Sequence, residues 1–173
     1  MTNASHASTD QPVTFVLTIN ETKHDIVCQT RTHLADAIRE HCDLTGTHLG
    51  CEQGVCGACT VLVDERPVRA CLQSAVRFQN SQVRTIEGLD DDEIARLLRE
   101  AFSEHHALQC GYCTPGMMIT ARDIVMRLPE ATEQRVRQEL AGNLCRCTGY
   151  AGIVHAILDV LKQRKSERIN HAD

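Results

Sequence analysis

Residues 50–61 read Gly50-Cys51-Glu52-Gln53-Gly54-Val55-Cys56-Gly57-Ala58-Cys59-Thr60-Val61, and one more cysteine follows at Cys71. Cys51-x4-Cys56-x2-Cys59 with a distant fourth cysteine is the spacing that wraps four thiolates around a 2Fe-2S cluster. Gly50, Gly54 and Gly57 fit that reading: positive φ at these positions lets the backbone curl around an inorganic core that a Cβ would crowd. It also frees amide N–H groups to point at the sulfurs and moderate their charge. An all-cysteine zinc site usually pairs two Cys-x2-Cys-like knuckles, which this three-cysteine run does not supply. A disulfide framework needs an oxidising compartment and usually a small chain.

Working outward, 173 residues suffice for one ordinary domain or two small ones with real cores. The net charge of -5 comes from 18 basic and 23 acidic residues, with no basic stripe to imply nucleic acid as a partner. No stretch is long and apolar enough to span a membrane. The N-terminal residues 1–11 read as a disordered lead with neither a signal peptide nor a twin arginine. Ten cysteines without an export signal point to reduced thiols, metal ligation and a cytoplasmic location. With no Trp, two Tyr and three Phe, the small cores must rest on aliphatics and on constraints such as bound clusters.

Period-two alternation of Val13, Phe15, Leu17 and Ile19 with Thr14 and Thr18 predicts a half-buried strand, and a second strand follows over 24–28. The turn between them, Asn20-Glu21, lacks the usual Asn-Gly. Residues 32–42 read as a helix with Thr32 as N-cap and Leu34, Ala35, Ile38 and Cys42 inward. Beyond the cysteine loop, strands are expected over 59–63 and 67–72, with a closing strand over 84–86. Together these make an α+β unit of the ferredoxin-like β-grasp type over residues 12–88.

From Asp90 the period becomes helical, and the boundary falls near 86–92. Ile94, Leu97, Leu98, Ala101 and Phe102 form one apolar face behind an acidic start. A second helix begins with Thr114 as N-cap and Pro115 at the first position, carries Met117, Ala121, Ile124, Val125 and Leu128 inward, and stops at Pro129. A short third helix covers 132–140. A fourth starts near Thr148 with Ile153, Ile157, Val160 and Leu161 inward, then frays over 162–168. The organisation is therefore a four-helix domain over 89–165 with a polar tail over 166–173.

This half carries Cys110-x2-Cys113 and Cys145-x-Cys147, in loops just before the second and fourth helices. The N–H groups at two helix starts would stabilise a negatively charged cluster there. On ligand rules alone a structural zinc stays open for this set.

The words around these cysteines narrow the choice. Gln109-Cys-Gly-Tyr-Cys-Thr-Pro-Gly-Met117, Gly142-Asn-Leu-Cys-Arg-Cys-Thr-Gly-Tyr150, residues 50–61 and Thr85-Ile-Glu-Gly-Leu89 together resemble the iron-sulfur subunit of the xanthine dehydrogenase family of molybdenum hydroxylases. The likeness spans about residues 13–162 and is similar to the small subunits of carbon monoxide dehydrogenase and of N-heterocycle and aldehyde dehydrogenases. The resemblance implies that Cys51, Cys56, Cys59 and Cys71 hold a 2Fe-2S cluster nearer flavin. It implies that Cys110, Cys113, Cys145 and Cys147 hold a second one nearer molybdenum. It further implies that Gln109 hydrogen-bonds the pterin of the molybdenum cofactor and that Cys147 lies beside a pterin amine. The partners implied are a large subunit with the molybdopterin-type cofactor and a medium subunit with FAD, in a dimer of heterotrimers. Family members commonly carry Gly in the hairpin turns that read Asn20-Glu21 and Asp64-Glu65-Arg66 here, a departure that bears on turn geometry and not on the thiols.

Cys28 and Cys42 fall outside both sets and read as buried, inert thiols. The nine histidines show no ligand spacing beyond the adjacent His105-His106, whose side chains would face different ways on a helix. With no nucleophile triad, phosphate loop or Rossmann fingerprint, the chain is expected to carry electrons and make no bonds itself. The expected role is an electron-transfer subunit between the molybdenum and FAD subunits. A free-standing ferredoxin shuttle, a zinc-stabilised interaction module and a reductive member resembling hydroxybenzoyl-CoA reductase are the alternatives.

Overall fold

The computed structural model of the protein describes residues 11–170. Most of the expected N-terminal lead, and residues 171–173 of the expected tail, lie outside the described residues. The chain runs β1 (Val13–Ile19), β2 (Thr22–Cys28), α1 (Leu34–Asp36), β3 (Thr60–Val63), β4 (Arg66–Arg69), β5 (Gln82–Arg84), α2 (Glu93–Glu104), α3 (Thr114–Arg127), α4 (Glu133–Glu139) and α5 (Ala151–Asn170).

The strands form one mixed sheet in the order β2-β1-β5-β3-β4, with β1 and β5 parallel and the other neighbours antiparallel. Phe15, Leu17, Ile19 and Ile26 point from β1 and β2 into a core closed by Leu34, Ala35, Ala37 and Ile38. Cys28 is buried in that core and Cys42 packs at its edge, where burial and then the neighbouring Asp43 push its thiol up to about 11.

Both hairpins turn without glycine. The register pairs Ile19 with Thr22 and Val63 with Arg66, leaving two-residue turns whose φ values are 48° and 65° at Asn20 and Glu21, and 48° and 62° at Asp64 and Glu65. Such turns need positive φ at both positions, which Asn and Asp tolerate best after Gly. Their side chains also anchor the turns. Asn20 Oδ1 accepts from the Thr85 amide and Asn20 Nδ2 donates to Thr85 Oγ1, each at 2.9 Å. Asp64 Oδ1 accepts from the Gln82 amide at 2.9 Å. Each turn is thus bonded to one end of β5.

Several element boundaries differ from the sequence reading. The helix expected over 32–42 is one α-helical turn continued by a π-helical turn, Ala37–His41, capped by His33, whose Nδ1 accepts the Asp36 amide at 3.0 Å, and not by Thr32. The wider turn brings both Ala37 and Ile38 inward beside Leu34 and Ala35. The strand expected over 67–72 ends at Arg69, and a 3-10 turn, Ala70–Leu72, carries Cys71 back over the sheet. The closing strand lies two residues earlier than expected, and Ile86 already begins a 3-10 turn, Ile86–Leu89.

In the helical half, Asp92 caps α2 by accepting the Ala95 amide at 2.9 Å. For α3 the N-cap position is Cys113, with Thr114 and Pro115 inside the first turn. The expected single apolar face of α3 is also too narrow. Met118, Ile119, Thr120 and Arg122 are buried as well, because α3 packs on the sheet as well as on the other helices. Leu62 from β3, Leu89, Ala95 from α2 and Ile119 form a small apolar seam between the halves. The last helix starts at Ala151, not near Thr148, and runs on through the residues expected to fray. Lys165, bonded to Glu130 at 2.8 Å, ties that extension to the α3–α4 connection.

A four-residue charge network closes the seam. Arg122 Nε contacts Asp92 Oδ2 at 2.8 Å and its Nη2 contacts Glu65 Oε2 at 3.0 Å, while Arg84 bonds Glu65 at 2.9 Å. Burial alone would raise the acids, but for Asp92 the Ala95 amide and Arg122, and for Glu65 the two arginines, outweigh it and hold both below the usual carboxylate range.

Candidate 2Fe-2S sites

The first thiol loop is built by backbone conformation. Glu52, Gly54 and Gly57 take φ values of 51°, 73° and 74°. Gly50 does not belong among the positive-φ positions; its role is space, since a Cβ there would lie 3.1 Å from Cys56 Sγ. A Cβ on Gly57 would stand 2.5 Å from the Gly142 carbonyl, so this turn requires glycine twice over. The coiled loop aims the amides of Cys56 and Gln53 at Cys51 Sγ, at 3.3 and 3.4 Å. Those donors, Cys56 first, lower the Cys51 thiol to about 7. Cys59 and Cys71 are buried, 2% and 7% exposed, and burial pushes Cys59 up to about 11.

The second set comes from two distant loops. Cys113 stands at the start of α3, where burial and the adjoining Cys145 push its thiol up to about 12. Cys110 and Cys147 are exposed, with sulfurs 3.5 Å apart. The loop before α5 is held by Tyr150, at φ 68°, whose hydroxyl accepts the Cys145 amide at 2.8 Å and donates to the Asn143 carbonyl at 3.0 Å. Burial raises the Cys145 thiol, but the Thr148 hydroxyl, 3.2 Å from its sulfur, and nearby amides bring it below the ordinary value.

The eight thiols therefore meet in neighbouring pairs, Cys51 with Cys56, Cys59 with Cys71, Cys113 with Cys145 and Cys110 with Cys147. Two cysteines per metal across a binuclear core give this pattern. Glycine-cleared space and amides aimed at sulfur fit a 2Fe-2S cluster at the first set, and the all-thiol donor set with the hydroxyl and amides at Cys145 fits one at the second. Gln109 is exposed on the loop that carries Cys110, on the same rim as Cys147.

The structure adds what the motifs did not reveal, the joint between the two sets. The Leu144 amide donates to the Cys56 carbonyl at 2.8 Å. Asn143, 2% exposed, donates to the Gly57 and Gly116 carbonyls at 3.3 and 3.2 Å and accepts from Thr120 at 3.0 Å. Gly116 lets this happen, because a Cβ on it would lie 2.2 Å from the Gly57 carbonyl. On the other side, Tyr112 stacks on His48 at 4.7 Å and donates its hydroxyl to the Leu49 carbonyl at 2.6 Å. His48 Nδ1 donates back to the Tyr112 carbonyl at 2.7 Å. In sequence, Asn143 and Tyr112 are polar or aromatic words inside cysteine motifs, and nothing local marks them as contacts across 86 and 64 residues.

Comparison with known proteins agrees with this division. Residues 17–82 match the family described as 2Fe-2S iron-sulfur cluster binding domain, and residues 85–158 match the 2Fe-2S binding domain family. The nicotine 6-hydroxylase small subunit of Paenarthrobacter nicotinovorans is 46% identical over 82% of this chain and 85% of its own. The caffeine dehydrogenase subunit gamma of Pseudomonas sp. strain CBB1 is 44% identical over 83% and 88% respectively. A chain in the crystal structure of quinoline 2-oxidoreductase from Pseudomonas putida 86 superposes with a TM-score of 0.83 at 46% identity, covering 90% of this chain and 98% of that one. The chain belongs to the xanthine dehydrogenase family of molybdenum hydroxylases, as the small, iron-sulfur subunit that brings two 2Fe-2S domains to a multi-subunit oxidoreductase.

Proposed function

We propose that this chain relays electrons from a large subunit holding a molybdopterin-type molybdenum cofactor to a medium subunit holding FAD. Cys110, Cys113, Cys145 and Cys147 hold the cluster on the molybdenum side, and Cys51, Cys56, Cys59 and Cys71 hold the one on the flavin side. When bound, the clusters supply one-electron redox chemistry. The chain's own work is to fix both thiol sets, shield them and set the charge around them.

The observation that carries this reading is the hydrogen bond from the Leu144 amide to the Cys56 carbonyl at 2.8 Å. It joins a neighbour of Cys145 directly to Cys56, so a short bonded path links one set to the other. At the outer rim, exposed Gln109 offers both a donor and an acceptor, the equipment for a pterin edge beside Cys147. Five of the eight exposed large hydrophobic residues among the described ones, Val55, Leu72, Leu108, Tyr112 and Leu144, lie within two residues of a motif cysteine. Apolar rims around both sets favour surfaces covered by fixed partners over those of a diffusing shuttle. All ten cysteines are free thiols, which supports a reducing, cytoplasmic setting, and we place the subunit in a dimer of heterotrimers. Among the described residues no helix is long and apolar enough to cross a membrane.

The test is tagged purification of the chain from its native host, with iron, zinc and molybdenum counted in whatever co-elutes and EPR on the reduced sample. The reading expects about four irons per chain, two cluster signals and two further subunits with molybdenum and flavin. Iron without partners would instead favour the shuttle, and zinc without iron would remove the cluster assignment.

A further inference from the structure

Arg69, on β4, reaches from the sheet half into the helical half. Its Nη1 donates to Thr60 Oγ1 at 2.6 Å, and its Nη2 donates to the Gly142 carbonyl at 2.6 Å and to Asn143 Oδ1 at 3.2 Å. Thr60 directly follows Cys59, Arg69 itself precedes Cys71 by two positions, and Asn143 precedes Cys145 by two. The guanidinium is therefore bonded to neighbours of both thiol sets at once.

All three of its acceptors are neutral, and among the described residues no carboxylate forms an ion pair with it. Arg122 at the same seam is treated differently, with Asp92 at 2.8 Å and Glu65 at 3.0 Å balancing its charge. A guanidinium stays protonated throughout the working pH range. A half-buried cation with no carboxylate counter-ion, bonded to neighbours of both thiol sets, is compensated by their negative charge through a partly water-screened field.

We infer that Arg69 is a positioning residue whose fixed charge raises the reduction potentials of both clusters together. The inference rests on the ligand assignment proposed above. Each cluster takes up one electron on reduction and so gains one negative charge, which a nearby cation favours. Because one guanidinium serves both sets, its removal moves both potentials downward. A purely structural strap would instead disturb cluster content or geometry without a common electrostatic shift.

The experiment is Arg69→Gln in the intact complex, with redox titration of the two cluster signals followed by EPR, and iron counted in parallel. The expected result is full iron content and a fall of about tenfold in the equilibrium constant for reducing each cluster, ~59 mV for a one-electron couple. Arg69→Lys keeps the charge but loses the fork, and both constants should stay within about twofold of wild type. Unshifted potentials in R69Q, or a shift at one cluster alone, would overturn the inference. Where R69Q does not load iron, R69K decides: a fully loaded R69K with wild-type potentials supports the shared charge, and a tenfold fall in it refutes the idea. A wild-type complex without two signals and about four irons per chain would mark failure of the ligand assignment itself, not of the role of Arg69.

Discussion

The two thiol sets solve the same problem by opposite means. In the sheet half, three of the four cysteines sit on one loop of residues 51–59, and positive φ at Glu52, Gly54 and Gly57 shapes that loop locally. In the helical half the cysteines come as two pairs some thirty residues apart, and the starts of α3 and α5 bring them together. Two cysteines of the first set, Cys59 and Cys71, are buried, whereas Cys110 and Cys147 of the second are exposed. A site made by one loop is specified by its own residues. A site made by two helix starts depends on everything that positions the helices, including the first loop, whose Cys56 and Gly57 carbonyls accept from Leu144 and Asn143.

That contrast can be broken most severely at Cys147. Cys147→Ala should remove the exposed cluster and about half of the iron, while the loop-built cluster persists, as measured by iron content and EPR of the reduced assembly. Retention of two distinct cluster signals in the variant would sink the ligand assignment. Next in size is Arg122→Leu, which leaves half-buried Asp92 with only the Ala95 amide and Arg84 at 3.9 Å and should cost about 3 kcal/mol in thermal unfolding of the iron-loaded protein. It should also alter the pH profile. Asp92 and Glu65 are held below their ordinary values, so their contribution is fully present above about pH 5 and is lost as pH falls through the depressed folded values. In R122L that acid-side loss of Tm should shrink.

A smaller effect separates close packing from backbone strain. Gly116→Ala would drive a Cβ to 2.2 Å from the Gly57 carbonyl, where neither backbone can yield cheaply, and should cost about 2 kcal/mol. Gly111→Ala meets nothing within 4 Å but sits at φ 80°, so its cost should be about 1 kcal/mol from strain alone. Equal losses in the two variants would mean that the joint between the loops is looser than the geometry implies. The smallest change is in the hairpins. Glu21→Gly should relieve positive φ and stabilise by about 0.5 kcal/mol, whereas Glu65→Gly gives up two arginine partners and should not stabilise at all.

The ferredoxin-like first half was legible because its signals are short-range. Alternation in β1 marks a strand whatever surrounds it, and cysteine spacing reflects the size of the group to be wrapped. The helical half was legible in its number of helices but not in how deeply α3 is buried. An expected one-sided face became a helix with Gly116 through Arg122 covered, because α3 serves both cores. Residues 32–42 differ from an ordinary helix: the expected inward face was Leu34, Ala35, Ile38 and Cys42, but Ala37 joins the core, Cys42 packs at its edge, and the turn over Ala37–His41 is π-helical.

By itself, the sequence determined the two sets of cysteines, the α+β order of the halves and the family, since each is written in spacing and word order along the chain. Only the tertiary structure decided that the sets abut, that Asn143 and Tyr112 clasp them, and that Arg122 is neutralised while Arg69 is not. Those facts depend on which groups meet across many residues, and they count for most at buried Asn143 and Arg122, where water competes least. No local pattern carries that information.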